Sequence, residues 1–124
     1  MQYLALIAHD AKKDDLIAFV RRSQEIFAGE ALLATHTTGT QIERETGLPV
    51  RKMLSGPLGG DLQIGALVAE GQVKAVIFLR DPLTAHPHEP DIVALMKVCD
   101  THNVPLATNL ATAELIVQHL AQRD

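Results

Sequence analysis

Apolar residues along this chain follow two alternating patterns. Short apolar runs bounded by polar or turn residues predict strands at Tyr3–Ala8, Ala31–Thr35, Lys74–Leu79 and Pro105–Thr108, with Val50–Met53 as a briefer one. Between them apolar residues recur at three- and four-residue spacing, the period of a helix with one face in a core. Lys13–Phe27 carries Leu16, Phe19, Val20 and Phe27 on one side, and Arg21, Arg22 and Glu25 on the other. Thr38–Thr46 ends at Gly47, ahead of Pro49, and Asp61–Glu70 ends at Gly71, each glycine supplying a helix stop. Asp91–His102 and Thr112–Ala121 complete the helices.

Strand and helix thus alternate from end to end, which implies strands joined by helical crossovers. The predicted fold is α/β, a single doubly wound domain spanning residues 1–124, with a five-stranded, mainly parallel sheet and helices on both faces. No linker, repeat or low-complexity stretch divides it. Open sheets of this kind bind ligands outside the carboxyl ends of their strands. The segments placed there are His9–Lys13, Thr35–Gly39, Ser55–Asp61, Asp81–His88 and Thr108-Asn109. They hold nearly every polar residue of chemical interest, so a site at that rim is expected.

Composition narrows what the rim can bind. A chain of 124 residues buries a core without staples, and 47% hydrophobic with 21% charged residues is ordinary for a globular domain. There is no Trp, and the aromatics are Tyr3, Phe19, Phe27 and Phe78, so a stacking platform for single-stranded nucleic acid is not expected. A net charge of −4 argues equally against a polyanionic partner. A small anion would have to be attracted locally. Cys99 is the single cysteine, which excludes an intramolecular disulfide and fits a reducing, cytoplasmic setting. It falls on the stripe Ile92, Leu95, Met96, Cys99 and reads as core. The apolar N-terminal run lacks the basic start of a signal peptide, and no segment approaches the ~20 apolar residues of a membrane span.

Each rim loop offers chemistry alongside a plainer reading. Thr35, Thr37 and Thr38 bring hydroxyls to a helix start, which suits phosphate; capping alone explains part of that pattern. Lys13 opens a helix, where the dipole disfavours a cation, and so fits a role toward a ligand. Ser55-Gly56-Pro57-Leu58-Gly59-Gly60-Asp61 joins a hydroxyl, a flexible backbone and a carboxylate; it reads as an anion cradle with a base beside it, or as a capped turn. His86-x-His88-x-x-Asp91 raises a metal site, though its proline-rich context favours a loop. Asp91 also fits a helix N-cap, Asp81 a turn before proline and Asp10 a cap. Neither GxxxxGK[ST] nor GxGxxG is present. A dianion cradle next to a carboxylate and a histidine suits proton abstraction beside a carbonyl in a small phosphorylated compound, or simple binding of a phosphate ester.

Taken together, Ile7-Ala8-His9-Asp10 with Lys13, Thr37-Thr38-Gly39, Ser55 to Asp61, Asp81-Pro82-Leu83, Pro87-His88-x-Pro90-Asp91 and Pro105-x-Ala107-Thr108-Asn109 resemble the methylglyoxal synthases over almost the whole chain. The resemblance implies conversion of dihydroxyacetone phosphate to methylglyoxal and phosphate, with no cofactor and no metal, in a cytoplasmic homohexamer. It implies Asp61 as the base and His88 as the group handling protons at the substrate oxygens. Lys13, Thr35, Thr37, Thr38, Ser55 and Gly56 would hold the phosphate, with His9, Asp10, Asp81 and Asp91 in support. Two departures stand out. His36 replaces a glycine common in the family, at a backbone cost if that position needs glycine-only angles. The sequence stops at Asp124, without the C-terminal arginine that some relatives supply to a neighbouring site. The same fold serves as a regulatory ligand-binding domain in larger enzymes, and that is the alternative reading. One difficulty is explicit: a helix start lowers a carboxylate pKa and weakens Asp61 as a base.

Overall fold

A computed structural model describes residues 2–122; Met1, Arg123 and the terminal Asp124 lie outside the described residues. Five strands, β1 (Tyr3–Ala8), β2 (Ala31–Thr35), β3 (Val50–Met53), β4 (Val73–Leu79) and β5 (Leu106–Ala107), form one sheet in the order β3-β2-β1-β4-β5. Every pairing is parallel. The central strands β1 and β4 are buried on both sides, which is why they read as unbroken apolar runs.

The strand order fixes where the helices lie. The chain steps outward from β1 to β3, then returns to place β4 on the other side of β1. Right-handed crossovers then put the helices between β1 and β3 on one face and those between β3 and β5 on the other, with the last helix returning to the first. One core packs α1 (Lys13–Arg22), α2 (Gln24–Ala28), α3 (His36–Thr46) and α6 (Leu110–Ala121) against the sheet, through Leu16, Phe19, Phe27, Ile42 and Val117. The other packs α4 (Gly60–Ala69) and α5 (Glu89–Thr101), through Ile64, Val68, Ile92, Leu95 and Cys99. Burial pushes the Cys99 thiol up to about 11, an inert core residue as expected. The connections diverge between β1 and β4, which opens a crevice at their carboxyl ends.

The helix expected over 13–27 is two helices, because the chain breaks at Ser23 (φ −114°, ψ 24°). The break turns Phe27 edge-on to Phe19, with centroids 5.8 Å apart at 83°. Helices α3, α5 and α6 begin at His36, Glu89 and Leu110, ahead of the expected Thr38, Asp91 and Thr112. Their caps are Thr35, His88 and Asn109, the last accepting from the Thr112 N–H at 2.9 Å. Asp91 therefore sits within the first turn of α5 and is not its cap. Pro90 is tolerated beside it, since that position has no intrahelical donor to lose.

Candidate active site

A cavity of about 550 Å³ opens in the crevice, reached from the ends of β1, β2 and β4 and from the turn after β3. After β1, His9 is only 6% exposed. Its Nδ1 accepts the Asp81 N–H at 2.8 Å, so the proton of the neutral ring sits on Nε2. That Nε2 is buried and finds no partner in the protein. Burial, with smaller contributions from His86, His88 and Arg80, pushes the His9 pKa down to about 4. The ring is thus a neutral donor at physiological pH. Lys13, opening α1, lies 2.5 Å from Asp10 Oδ1 and 3.4 Å from the Ala8 carbonyl. The hydrogen bond and charge of Lys13 hold the exposed Asp10 carboxyl below its ordinary value.

After β2 the chain enters α3 with no side-chain cap, so the first N–H groups of an eleven-residue helix lack intrahelical partners. Thr35 and Thr37 line the cavity there. Thr38 is fully buried with Oγ1 unpartnered, but it does not line the cavity itself. The anticipated backbone cost at His36 is absent: among the described residues Asn103 is the one non-glycine with positive φ. His36 begins a regular helix, is exposed and lies away from the cavity lining.

After β3 the glycines have separate jobs. Residues Gly56–Leu58 form a tight turn, with the Ser55 carbonyl accepting from the Leu58 and Gly60 N–H groups at 3.0 Å each. Gly59 sits at φ 106°, and a Cβ on Gly60 would fall 1.9 Å from the Leu54 carbonyl oxygen. This compact turn delivers Asp61 into the cavity. Asp61 is 0% exposed and neither carboxylate oxygen has a hydrogen-bond partner. His88 Nε2 lies 3.6 Å from its Oδ2. A Cβ on Gly56 would come 3.1 Å from His88 Nε2 and 3.5 Å from Asp61 Oδ1, so glycine keeps this corner open. Burial raises the Asp61 pKa, His88 opposes the shift, and Asp91 adds to it. Burial, the largest of these, acts in the direction opposite to the lowering expected from the helix start.

After β4, the Asp81 carboxylate accepts the Leu83 N–H at 3.1 Å and a Thr84 hydrogen bond, which hold its pKa down. Asp81 lines the cavity, but its side chain is bonded within its own loop. Asp91 is half-buried and outside the lining, and reaches the site through its charge on Asp61. Thr108 and Asn109 do not line the cavity either; the Thr108 carbonyl accepts the Arg80 N–H, and Asn109 caps α6. The spacing that raised a metal site has another explanation. Among the described residues no group of three His, Cys, Asp or Glu is arranged to hold a metal ion. Instead His86 stacks on His9 at 3.7 Å, and His88 meets His9 edge-on at 6.0 Å. Thr84 and Phe78 line the cavity without having been singled out as site residues; His86, raised from the sequence only as a candidate metal ligand, lines it as well.

The cavity sets a desolvated carboxylate and a neutral imidazole donor near a lysine and an open helix start. Such an arrangement can hold a small dianion and take a proton from carbon. Fold and site define an α/β protein of the MGS-like domain class, whose family model matches residues 15–108. The chain is 66% identical to a methylglyoxal synthase of Cupriavidus metallidurans over 96% of its own length and 85% of that protein's. It is 63% identical to one of Carboxydothermus hydrogenoformans, covering 97% and 99% of the two chains. The crystal structure of methylglyoxal synthase from Elizabethkingia anophelis superposes with a TM-score of 0.88 at 43% identity, over 94% of this chain and 76% of that one. The chain belongs to the methylglyoxal synthase family.

Proposed function

We propose that this chain converts dihydroxyacetone phosphate to methylglyoxal and inorganic phosphate, with Asp61 as the base. The phosphate is held by Lys13, Thr35, Thr37, Ser55, the Gly56 N–H and the open start of α3, with Thr38 supporting that start from its buried position. Asp61 takes a proton from the hydroxymethyl carbon, and the electron pair of that C–H bond forms an enediolate with the carbonyl carbon. The Nε2–H of His9 and the ring of His88 stabilise the charge that develops on oxygen, the larger demand in such a step. The enediolate electrons then expel phosphate from the far carbon as the terminal hydroxyl loses its proton toward His88 and becomes the aldehyde. The enolate left behind takes a proton at its CH2 carbon and becomes methylglyoxal. Asp10 steadies Lys13, the Asp81 backbone fixes the His9 tautomer, and Asp91 raises the basicity of Asp61.

The observation that carries this reading is Asp61 itself, buried, unpartnered and facing the cavity beside His88. A module that only bound a phosphate ester would gain nothing from a carboxylate that repels its ligand, so the enzyme is favoured over the regulatory domain. The homohexamer belongs to the same reading. Leu54, Leu58 and Leu62, 48%, 71% and 49% exposed, supply apolar surface for subunit contact, and light scattering would give the mass. The cytoplasm suits a chain whose single cysteine is a buried thiol; among the described residues no helix is long and apolar enough to cross a membrane. The test is incubation with dihydroxyacetone phosphate, scoring both products. Equimolar methylglyoxal and phosphate are expected. Phosphate with dihydroxyacetone would make the protein a phosphatase, and no turnover with tight binding would make it a binding module.

A further inference from the structure

We infer that His86 is a positioning residue: stacked on His9, it holds that imidazole as an Nε2–H donor for the reaction. The inference rests on the role proposed above for His9. Three neighbours define the His9 ring. The Asp81 N–H pins Nδ1 at 2.8 Å, the Phe78 ring meets it edge-on at 5.1 Å and 77°, and His86 lies nearly parallel to it at 3.7 Å and 21°. The Asp81 bond alone is a pivot about which the ring can tilt. The stack removes that freedom and keeps water off one face.

The stack also protects the tautomer. Nδ1 already accepts the Asp81 N–H, so protonating His9 would set two N–H groups against each other. The charged and titratable groups acting on His9 are His86 and His88 from the loop after β4, Arg80 at its end and Glu89 of α5. Asp10 from the adjoining turn interacts with it as well. His86 ranks directly after burial among the influences that keep the ring uncharged, and it contributes to that burial by covering the ring. His86 Nε2 bonds to no other protein group, so it is through its ring plane that His86 acts on His9.

The experiment compares His86→Ala and His86→Phe by NMR of the histidine ring nitrogens and by kcat against pH. In the wild type, His9 should keep its Nε2–H form until the pH approaches about 4. His86→Ala should move His9 titration toward the ordinary imidazole range and lower kcat roughly two- to tenfold, the worth of an aromatic stack, with the deficit growing as the pH falls. His86→Phe should recover most of both losses, since it restores a ring without a titrating group. Unchanged His9 titration and kcat in His86→Ala would overturn the inference; so would His86→Phe being as impaired as His86→Ala. Should the alanine variant not fold, His86→Leu fills the volume without a ring and faces the same criteria. The ring titration is read in the free protein. It therefore judges the stack even if His9→Gln shows that His9 contributes nothing to turnover.

Discussion

Asp61→Asn separates a catalytic carboxylate from a structural one, because the two roles predict opposite changes in stability. The wild-type carboxylate is 0% exposed, with both oxygens unpartnered and His88 Nε2 lying 3.6 Å from Oδ2. Leaving a buried polar group unsatisfied costs about 1–3 kcal/mol, more for a charge. An amide of the same shape is also unsatisfied but carries no charge, so the substitution should stabilise the fold by about 1–2 kcal/mol. At this chain length that corresponds to a rise of roughly 4–8 °C in Tm. The gain has a defined pH dependence. Burial holds the folded-state pKa above the unfolded value of 3.8, so the charged-state penalty is present above the folded pKa and gone below 3.8. The stability difference between variant and wild type should therefore shrink as the pH is lowered. Activity moves the other way. Removing a positioned general base costs about 10²- to 10⁴-fold, or roughly 3–5 kcal/mol in the barrier. The assays are thermal melts at fixed protein concentration and methylglyoxal production from dihydroxyacetone phosphate. A variant that melts lower than wild type and keeps a tenth of its rate would refute the reasoning.

Further outcomes follow from the glycines, His9 and Lys13. Gly60→Ala drives a Cβ to 1.9 Å from the Leu54 carbonyl and should cost several kcal/mol in urea unfolding, whereas Gly56→Ala meets only side-chain atoms and should fold normally with reduced kcat/KM. His9, with its folded pKa near 4 against 6.5 unfolded, takes up its proton first in the unfolded chain, so stability should fall as the pH drops through that window. The loss is at most about 3 kcal/mol, and urea titrations of wild type and His9→Gln at pH 7 and pH 4.5 should differ by that part. Lys13→Ala should weaken inhibition by inorganic phosphate roughly ten- to a hundredfold, the worth of a charge-assisted hydrogen bond, while kcat changes less. Equal phosphate inhibition in both proteins would remove Lys13 from the cradle.

The sheet was legible because strands buried on both faces must be apolar throughout; all five strands lie within a residue of the positions their runs predict, β5 being trimmed by one residue at each end. Helix starts were read late because a cap was sought beside the first periodic residue. Thr35 and His88 serve as N-caps with no side-chain hydrogen bond, which leaves no residue-type signal to find. Ser23 breaks a helix that its apolar period alone would continue, since the turn is set by how Phe27 packs on Phe19. In the site, the loops and the base were visible as residue types at strand ends. The stack of His86 on His9 was not, because a proline-rich loop has no period from which to read a ring's neighbour.

The two halves of the site come from opposite faces of the sheet, and this accounts for the conflict at Asp61. Lys13 and the start of α3 belong to the layer of the first core, while Asp61 arrives on α4 from the second. A carboxylate and a phosphate can then share one cavity while different elements hold each in place. The α4 start tends to lower the Asp61 pKa, yet burial and Asp91 raise it. A bound dianion adds negative charge to the same cavity and expels water from it, and both effects raise a carboxylate pKa further. With Asp61 as the proposed base, its basicity would therefore rise when substrate is bound, while Lys13 and the α3 N–H groups would limit the repulsion that opposes binding. On that proposal the substrate itself supplies part of the upward shift that burial begins.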